Sequence, residues 1–316
     1  MKNGPARQVR AGTAGGCGGA TGREARNKRT PECVDSSLSG LRFDLMILDD
    51  LDARPVIAHR GASGLAPENT LAALELAIEQ GADALEFDVR LAACDTPVLA
   101  HDATLDRTTA WQGQVRRRTA ADLAECDAGY WFTSDGTTYP WRGRGICVPS
   151  LAQVLARFPT TPLLIELKSV EAARPVRQVL LEHGAAGRVM VASFLDEALV
   201  PFRDGGFLTS ASRRGILRLW LASWVGLVVR PEDRAYSVPE RYKDRVPVPT
   251  RAFVRAARHA GCPVHVWTVN DPRRAAAYWR QGVSGIITNF PALMVAERGH
   301  TGDTPGSDPG QSPCDP

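Results

Sequence analysis

The sequence predicts an α/β fold, a (β/α)8 TIM barrel, and three observations support this prediction. Eight short apolar runs alternate with amphipathic helical patterns, which is typical of a parallel sheet with crossover helices. The patterned part of the chain spans residues 46–298, about 250 residues, the size of one such barrel. The hydrophobic fraction of 44% and the charged fraction of 23% are those of a globular protein, which excludes wholesale disorder.

The elements follow from the period of the apolar residues. The predicted barrel strands are Val56–His59, Ala84–Val89, Leu163–Lys168, Val189–Ser193, Phe207–Ala211, Ala235–Val238, Val264–Val269 and Gly285–Thr288. The helices predicted between them include Asn69–Gln80, Leu151–Phe158, Pro175–His183, Thr250–His259 and Arg273–Gln281. The apolar run Ile216–Val229 contains Arg218 and is too short to span a bilayer. We interpret it as a core-facing helix with a loop, and a lipid-facing lip is the alternative.

One further run, Pro97–His101, follows Val89 too closely for a crossover helix. It is predicted to form an antiparallel hairpin after the second strand, with its turn near residues 94–96. A turn centred there sets His101 opposite Asp88. The segment 104–149 that follows is predicted as an insertion. Trp111, Trp131 and Trp141 would form its small core or, alternatively, line a substrate groove.

Both ends of the chain lack periodicity. Residues 1–45 are predicted as a disordered basic leader, with Met46 as an alternative natural start, and the Gly- and Pro-rich residues 299–316 as a disordered tail. Residues 1–40 carry a net charge of +4 and the rest of the chain −1, so the folded part is nearly neutral, which argues against nucleic-acid binding. Seven scattered cysteines without a C-x-x-C pair, and the lack of a signal peptide or a transmembrane run, predict a cytoplasmic protein.

Polar residues cluster at the ends of the predicted strands. Glu86 and Asp88 lie two apart, so they share one side of their strand, and Glu166 lies near the end of the next barrel strand. The carboxyl ends of barrel strands meet at one mouth, where barrel enzymes build their sites. Three oxygen ligands with open positions suit Mg²⁺ or Ca²⁺. The sequence therefore predicts one divalent cation there.

Two histidines and two cations accompany these acids. His59 and Arg60 end the first strand, His101 ends the hairpin, and Lys168 ends the strand that carries Glu166. Because the pKa of histidine lies near neutrality, a pair of imidazoles can serve as general base and general acid. Arginine, lysine and a divalent cation together can hold a phosphoryl oxygen. The set predicts metal-assisted cleavage of a phosphate ester.

The motifs at these positions are similar to those of a known family. In chain order they are His59-Arg60-Gly61, Pro67-Glu68-Asn69-Thr70, Glu86-Phe87-Asp88-Val89, Val98-Leu99-Ala100-His101-Asp102, Leu105-Asp106-Arg107-Thr108-Thr109, Ile165-Glu166-Leu167-Lys168, Ser193-Phe194, Trp267-Thr268-Val269-Asn270 and Gly285-Ile286-Ile287-Thr288. Across residues 54–292 the chain resembles the glycerophosphodiester phosphodiesterase family. The resemblance implies a barrel related to phosphoinositide phospholipase C.

The resemblance also implies an activity and a site. The activity is hydrolysis of a small-molecule glycerophosphodiester to glycerol 3-phosphate and an alcohol with one divalent cation. The resemblance assigns nine residues: Glu86, Asp88 and Glu166 to the metal, His59 and His101 to acid–base catalysis, Arg60 and Lys168 to the phosphate, Glu68 to the site or its surroundings, and Trp267 to the glycerol. Three departures, at Asp95-Thr96, Ser284-Gly285 and Thr288-Asn289, are expected to touch neither the metal set nor the histidines.

Other functions stay open on the sequence alone. The same chemistry could act on lysophospholipids, as in a lysophospholipase D, with the run Ile216–Val229 as a lipid-binding lip and peripheral membrane contact. An alternative of another class is a catalytically silent barrel that binds phosphodiesters. The basic leader could also serve a separate, non-enzymatic role. The sequence does not indicate the head group, the metal, the nucleophile or the oligomeric state.

Overall fold

A computed structural model describes residues 46–203 and 206–302, and it confirms the predicted barrel. Its strands are β1 (Val56–His59), β2 (Ala84–Leu91), β3 (Pro97–Leu99), β4 (Leu163–Leu167), β5 (Val189–Ala192), β6 (Leu208–Ser210), β7 (Tyr236–Pro239), β8 (Arg241–Tyr242), β9 (Val246–Pro247), β10 (Val264–Trp267) and β11 (Gly285–Thr288). Eight of them pair in the order β6-β5-β4-β2-β1-β11-β10-β7. A parallel bridge from Ser210 to Ala235 joins β6 to the start of β7 and closes the barrel.

Helices follow most of the barrel strands. They are α1 (Met46–Asp49), α2 (Leu71–Glu79), α3 (Ala120–Glu125), α4 (Leu151–Arg157), α5 (Ala173–Glu182), α6 (Asp196–Arg203), α7 (Arg213–Trp224), α8 (Arg251–His259), α9 (Pro272–Gln281) and α10 (Pro291–Gly302). Side-chain caps fix several starts, because the oxygens of Thr70, Ser150, Ser212, Thr250 and Asp271 accept backbone N–H groups of the first turn. Within residues 46–203 and 206–302, no helix combines the length and the apolar character that crossing a membrane requires.

The side chains of the strands separate into two layers. Ile57, Ala84, Leu164, Met190 and Ile287 pack with one another inside the barrel. The alternate residues of the same strands pack outward against the helices. Side chains alternate along a strand, so Glu86 and Asp88 point into the barrel as Ala84 does. Their carboxylates lie at the carboxyl-terminal end of the barrel interior.

All eight predicted strands are present, within two residues at each end. Four helices were not predicted, namely α1, α3, α6 and α10. Helix α6 contains Pro201, which interrupts the helical pattern, and α10 extends to Gly302, four residues past the predicted end of the domain at 298. The run Ile216–Val229 is a helix with a loop, but its core-facing orientation is only partly correct. Leu219 is buried, whereas Leu217 and Leu221 are exposed.

The hairpin of β2 and β3 is present, but its predicted register is wrong by one residue. Val89 pairs with Leu99, and the N–H of Ala100 donates to the C=O of Asp88, so Ala100 rather than His101 lies opposite Asp88. The turn is a short 3₁₀ segment in which Cys94 and Asp95 both adopt left-handed backbone angles. Leu91 pairs with Pro97, so the turn is centred on Cys94 and not between Cys94 and Asp95, and this shifts the pairing by one residue.

The segment 104–149 contributes a small apolar cluster beside β3. Its core is formed by Leu105, Val115, Leu123, Ala128 and Val148. Trp111 packs on this cluster as predicted, whereas Trp131 is exposed and Trp141 donates its indole N–H to the C=O of Leu65. The predicted leader 1–45 lies outside the described residues, as does the predicted tail beyond residue 302.

Candidate active site

Three carboxylates meet at the carboxyl-terminal mouth of the barrel. Glu86 and Asp88 lie on β2, and Asp88 is in register with Glu166 on β4. One oxygen of each carboxylate lies within 4.8 Å of the oxygens of the other two. Asp88 is almost fully buried, with 1% of its surface exposed, and Glu86 is nearly as deep. The structure therefore brings together the three residues that the sequence predicts as metal ligands.

Two cations hold this acidic cluster. Lys168 Nζ lies 2.8 Å from Asp88 Oδ1 and 2.7 Å from Glu166 Oε1. Arg60 Nε lies 2.9 Å from Asp88 Oδ2, and the backbone N–H of Arg60 donates to Glu86 Oε2 at 2.9 Å. Two cations face three carboxylates, and Arg60 is also shared with Glu68 at 2.9 Å. The cluster keeps an excess of negative charge.

The pKa values report this imbalance. Burial, with the nearby charges of Asp88 and Glu166, raises the pKa of Glu86 well above its usual value. Burial also raises the pKa of Glu166. Burial acts in the same direction on Asp88, but the attraction of Lys168 and Arg60 outweighs it and holds the pKa of Asp88 below its usual range. Among the three carboxylates, the negative charge of Glu86 is therefore the one least compensated by a nearby cation.

Asn69 fixes the orientation of Asp88, a role that the residue pattern alone does not assign to it. Its side-chain N–H donates to Asp88 Oδ2 at 2.9 Å, and its oxygen accepts the backbone N–H of Asp88 at 3.1 Å. Asn69 has a φ of 57°, a left-handed conformation that asparagine tolerates better than most residues. In the sequence, the position of Asn69 within the motif Pro67-Glu68-Asn69-Thr70 was the feature that could have indicated this role.

His59 lies at the end of β1 and lines the same pocket as Glu86 and Glu166. Its Nδ1 lies 2.7 Å from the side-chain oxygen of Asn289, to which the hydroxyl of Ser63 also donates at 2.9 Å. With that oxygen as acceptor, Nδ1 carries the proton and Nε2 keeps its lone pair. Burial, followed by the charge of Arg60, lowers the pKa of His59 to about 4. The imidazole is therefore neutral at pH 7.

The contact with Asn289 overturns one expectation. The departure at Thr288-Asn289 was expected to touch neither the metal set nor the histidines, yet Asn289 is the hydrogen-bond partner of His59. The two residues lie 230 positions apart in the sequence, and they meet because β1 pairs with β11 in the closed barrel. Knowledge of which strands are neighbours was needed to see this pair.

His101 follows β3 and lines the same pocket as His59, although it is not opposite Asp88. Its Nδ1 lies 2.7 Å from Asp102 Oδ1, and Arg107 Nε donates to Asp102 Oδ2 at 2.6 Å. Arg90 Nε donates to the C=O of His101 at 2.8 Å. Asp102 therefore holds the ring of the histidine beside it.

Glu68 connects the two sides of the mouth. Arg107 donates to both of its oxygens, at 2.8 and 2.6 Å, and Arg60 donates to one of them at 2.9 Å. Burial raises the pKa of Glu68, but its bonds and attraction to these two arginines lower it below the usual value. A continuous chain of ion pairs thus runs from His101 through Asp102 to Asp88, and Arg107 is a link in it that sequence reasoning missed.

Aromatic and apolar residues line the same pocket. Phe194 and Trp267 meet edge to face with 5.9 Å between ring centroids, and Leu164 and Ile287 also line the pocket. A ligand with one anionic and one apolar part would match the two kinds of lining residue.

The fold and this mouth together define a barrel enzyme with its polar site at the carboxyl ends of the strands. The family model described as the glycerophosphoryl diester phosphodiesterase family matches residues 59–199 and 222–293. The chain therefore belongs to that family. Every motif residue placed above, from His59 to Asn289, lies inside the matched ranges.

Individual relatives agree with this assignment. The chain is 31% identical to a glycerophosphodiester phosphodiesterase of Bacillus subtilis over 256 residues, which are 75% of this chain and 84% of the relative. It is also 31% identical to one of Caldanaerobacter subterraneus over 248 residues, 76% of this chain and 96% of the relative. An Oleispira antarctica phosphodiesterase, solved in complex with its product sn-glycerol-3-phosphate, superposes with a TM-score of 0.61 at 26% identity, covering 78% of this chain and 97% of that one.

Proposed function

We propose that this protein hydrolyses glycerophosphodiesters to glycerol 3-phosphate and an alcohol, with a divalent cation and with His59 and His101 as acid–base catalysts. The observation that carries the proposal is the convergence of three carboxylates, with oxygens within 4.8 Å of one another, beside two imidazoles that line the same pocket. The names of the relatives and the product bound to the Oleispira enzyme support the substrate class.

The residues of the mouth fit a divalent cation. Glu86, Asp88 and Glu166 offer oxygen ligands, which Mg²⁺ and Ca²⁺ prefer over softer metals. Burial and the repulsion from Asp88 and Glu166 raise the pKa of Glu86, and a bound cation would offset that repulsion. When bound, a divalent cation supplies charge that polarises a phosphoryl oxygen. Arg60 and Lys168 would hold the remaining phosphoryl oxygens from the same side of the pocket.

The two imidazoles have surroundings suited to different roles. His59 is neutral at pH 7 and keeps the lone pair of Nε2, as a general base requires. His101 Nδ1 lies 2.7 Å from the carboxylate of Asp102, which orients the ring, and we assign the general acid to His101. His59 would take the proton of the nucleophile, either water or the glycerol 2-hydroxyl, and His101 would give a proton to the leaving alkoxide. Trp267 and Phe194 would pack against the carbon part of the substrate.

Alanine variants of the two histidines test the proposal. We expect His59→Ala and His101→Ala each to lower kcat on glycerophosphocholine by at least about 100-fold, since a positioned acid or base contributes at least that much. His183→Ala is the matched control, because His183 is an exposed histidine that caps the C-terminal end of α5. Wild-type turnover in both site variants would refute the assignment. Turnover that survives complete removal of divalent cations would refute the metal requirement.

The same hydrolysis assay distinguishes the proposed function from two alternative functions. Lysophospholipase D-type hydrolysis is favoured by the exposed apolar residues of α7, and it predicts that lysophosphatidylcholine competes better than glycerophosphocholine. A catalytically silent barrel would bind a phosphodiester without releasing product. Against it, the described residues retain both histidines and all three carboxylates.

A further inference from the structure

An apolar surface covers the outer face of α7 and the loop after it. Leu217, Leu221 and Trp224 follow one another at helical spacing and are more than half exposed. The loop continues the surface with Val225, Leu227 and Val228, and Val228 is 80% exposed. We call these six residues the α7 surface. Single exposed apolar residues are common, but six large ones within twelve positions mark an interaction site.

The α7 surface connects to the rim of the active site. Trp220 lies 5.4 Å from Trp224 between ring centroids, and its indole N–H donates to the C=O of Pro247 in the hairpin of β8 and β9. That hairpin exposes Tyr242 and follows β7, whose last residue, Pro239, is in register with Trp267 of the pocket wall. The apolar residues thus extend from the side of the barrel toward its mouth.

The charges around the α7 surface have one dominant sign. Residues 205–231 contain no aspartate or glutamate but four arginines, at positions 213, 214, 218 and 230. Residues 245–270, which include α8 packed beside α7, also contain no acid and four arginines, at positions 245, 251, 255 and 258. Two of these arginines are paired with acids, Arg218 with Glu232 at 3.2 Å and Arg258 with Asp52 at 2.6 Å. An apolar face rimmed by arginine is complementary to an anionic lipid surface.

We propose that the α7 surface docks the protein on an anionic membrane, so that the rim of the active site lies at the lipid surface. The proposal rests on the proposed function, since glycerophosphodiesters derive from membrane lipids. A second copy of the chain is a poorer occupant, because pairing through this face would bring two arginine-rich rims together. The leader is a poorer occupant for the same reason, since residues 1–40 carry seven basic and three acidic groups.

Vesicle sedimentation with the full chain tests the proposal. We expect the protein to sediment with vesicles of phosphatidylcholine mixed with phosphatidylglycerol, to sediment poorly with phosphatidylcholine alone, and to dissociate at high salt. Trp224→Gln with Val228→Gln should weaken binding by at least about tenfold. Arg230→Gln with Arg255→Gln should weaken it about fivefold for each arginine removed.

Matched controls change the same residue types elsewhere. Leu181→Gln with Val200→Gln removes exposed apolar residues of α5 and α6, and Arg174→Gln with Arg273→Gln removes exposed arginines of α5 and α9. We expect both control variants to bind the anionic vesicles as the wild type does. All variants should hydrolyse soluble glycerophosphocholine at the wild-type rate, because none alters a residue of the mouth.

Three results would overturn the proposal. One is a wild-type protein that does not bind anionic vesicles. Another is a Trp224/Val228 variant that binds them as well as the Leu181/Val200 control variant does. The third is a wild-type dimer that the Trp224/Val228 variant converts to a monomer, which would make a second copy the occupant. Vesicle binding without hydrolysis of any glycerophosphodiester would support membrane docking by the α7 surface but would refute the proposed function.

Discussion

His59 Nδ1 and the side-chain oxygen of Asn289 lie 2.7 Å apart, and this bond joins the first and last strands of the barrel at the active site. It sets which imidazole nitrogen carries the proton, since an amide oxygen only accepts. The hydrogen bond to Asn289 raises the pKa of His59, but burial and the charge of Arg60 outweigh it and lower that pKa to about 4. The imidazole is therefore neutral across the physiological range, as the proposed general base requires.

Replacing this amide by a carboxylate should move the pH dependence of catalysis. The negative charge in Asn289→Asp stabilises the imidazolium, so we expect the pKa of His59 to rise by about one to two units. Because the neutral base is required, the acid limb of kcat/KM should move to higher pH by the same amount. The measurement is kcat/KM from pH 4 to 9 on glycerophosphocholine. An unchanged acid limb would show that His59 is not the base.

Removing the charge of Glu86 should separate metal binding from folding. In Glu86→Gln the repulsion from Asp88 and Glu166 is relieved, so we expect the chelated protein to melt about 3 °C above the chelated wild type. Mg²⁺ or Ca²⁺ should raise the melting temperature of the wild type but not that of the variant. Thermal unfolding with and without chelator measures both effects. A variant still stabilised by the cation would remove Glu86 from the ligand set.

Arg107 should act as a positioning residue. Arg107→Met breaks the bonds of Arg107 to Glu68 and Asp102. Glu68 in turn binds Arg60, and Asp102 binds His101. We expect kcat to fall by about 10- to 100-fold with little change in KM, and Arg107→Lys to restore part of the loss. Arg157→Met, which removes an exposed pair with Glu75 far from the mouth, is the control. A rise in KM alone would indicate that Arg107 binds substrate instead.

His265 should make the protein sensitive to acid. It is fully buried inside β10, and burial lowers its pKa to about 4. The unfolded chain binds a proton near pH 6.5, so the contribution of His265 to stability is complete above that pH and is lost as the pH falls toward 4. Between pH 7 and pH 5 we expect it to cost about 2 kcal/mol.

Urea unfolding of the wild type and His265→Leu at the two pH values measures this contribution. The variant should lose about 2 kcal/mol less than the wild type over that interval, whatever its stability at pH 7. Equal losses in the two proteins would show that His265 is already protonated, or equally accessible, in the folded state.

Much of the fold was predictable because each strand and helix carries its own local pattern. The alternation of Ala84, Glu86 and Asp88 on one face of β2 is sufficient to place two carboxylates inside the barrel. The register of the hairpin was not predictable, because it depends on the left-handed angles of Cys94 and Asp95 in the turn. Helix α6 was hidden by Pro201, whose missing N–H usually ends a helix.

The site was predictable where single residues belong to short motifs, and less so where partners come from distant strands. Glu86, Asp88 and Glu166 could be assembled from strand ends alone. Asn289 and Arg107 could not, because their roles depend on which loops the closed barrel brings together. The cytoplasmic location and the domain boundaries stay predictions. The former rests on the scattered cysteines, of which Cys94, Cys126, Cys147 and Cys262 are free thiols in the structure.

The central claim is that one divalent cation binds where the three carboxylates meet. A crystal structure of the Mn²⁺-loaded protein, with the metal located by its anomalous scattering, tests it most directly. The account predicts one strong peak within about 2.0–2.6 Å of oxygens from Glu86, Asp88 and Glu166. The rings of His59 and His101 should face it from the pocket. A peak at any other position, or one bound by a single carboxylate of the three, would contradict the account.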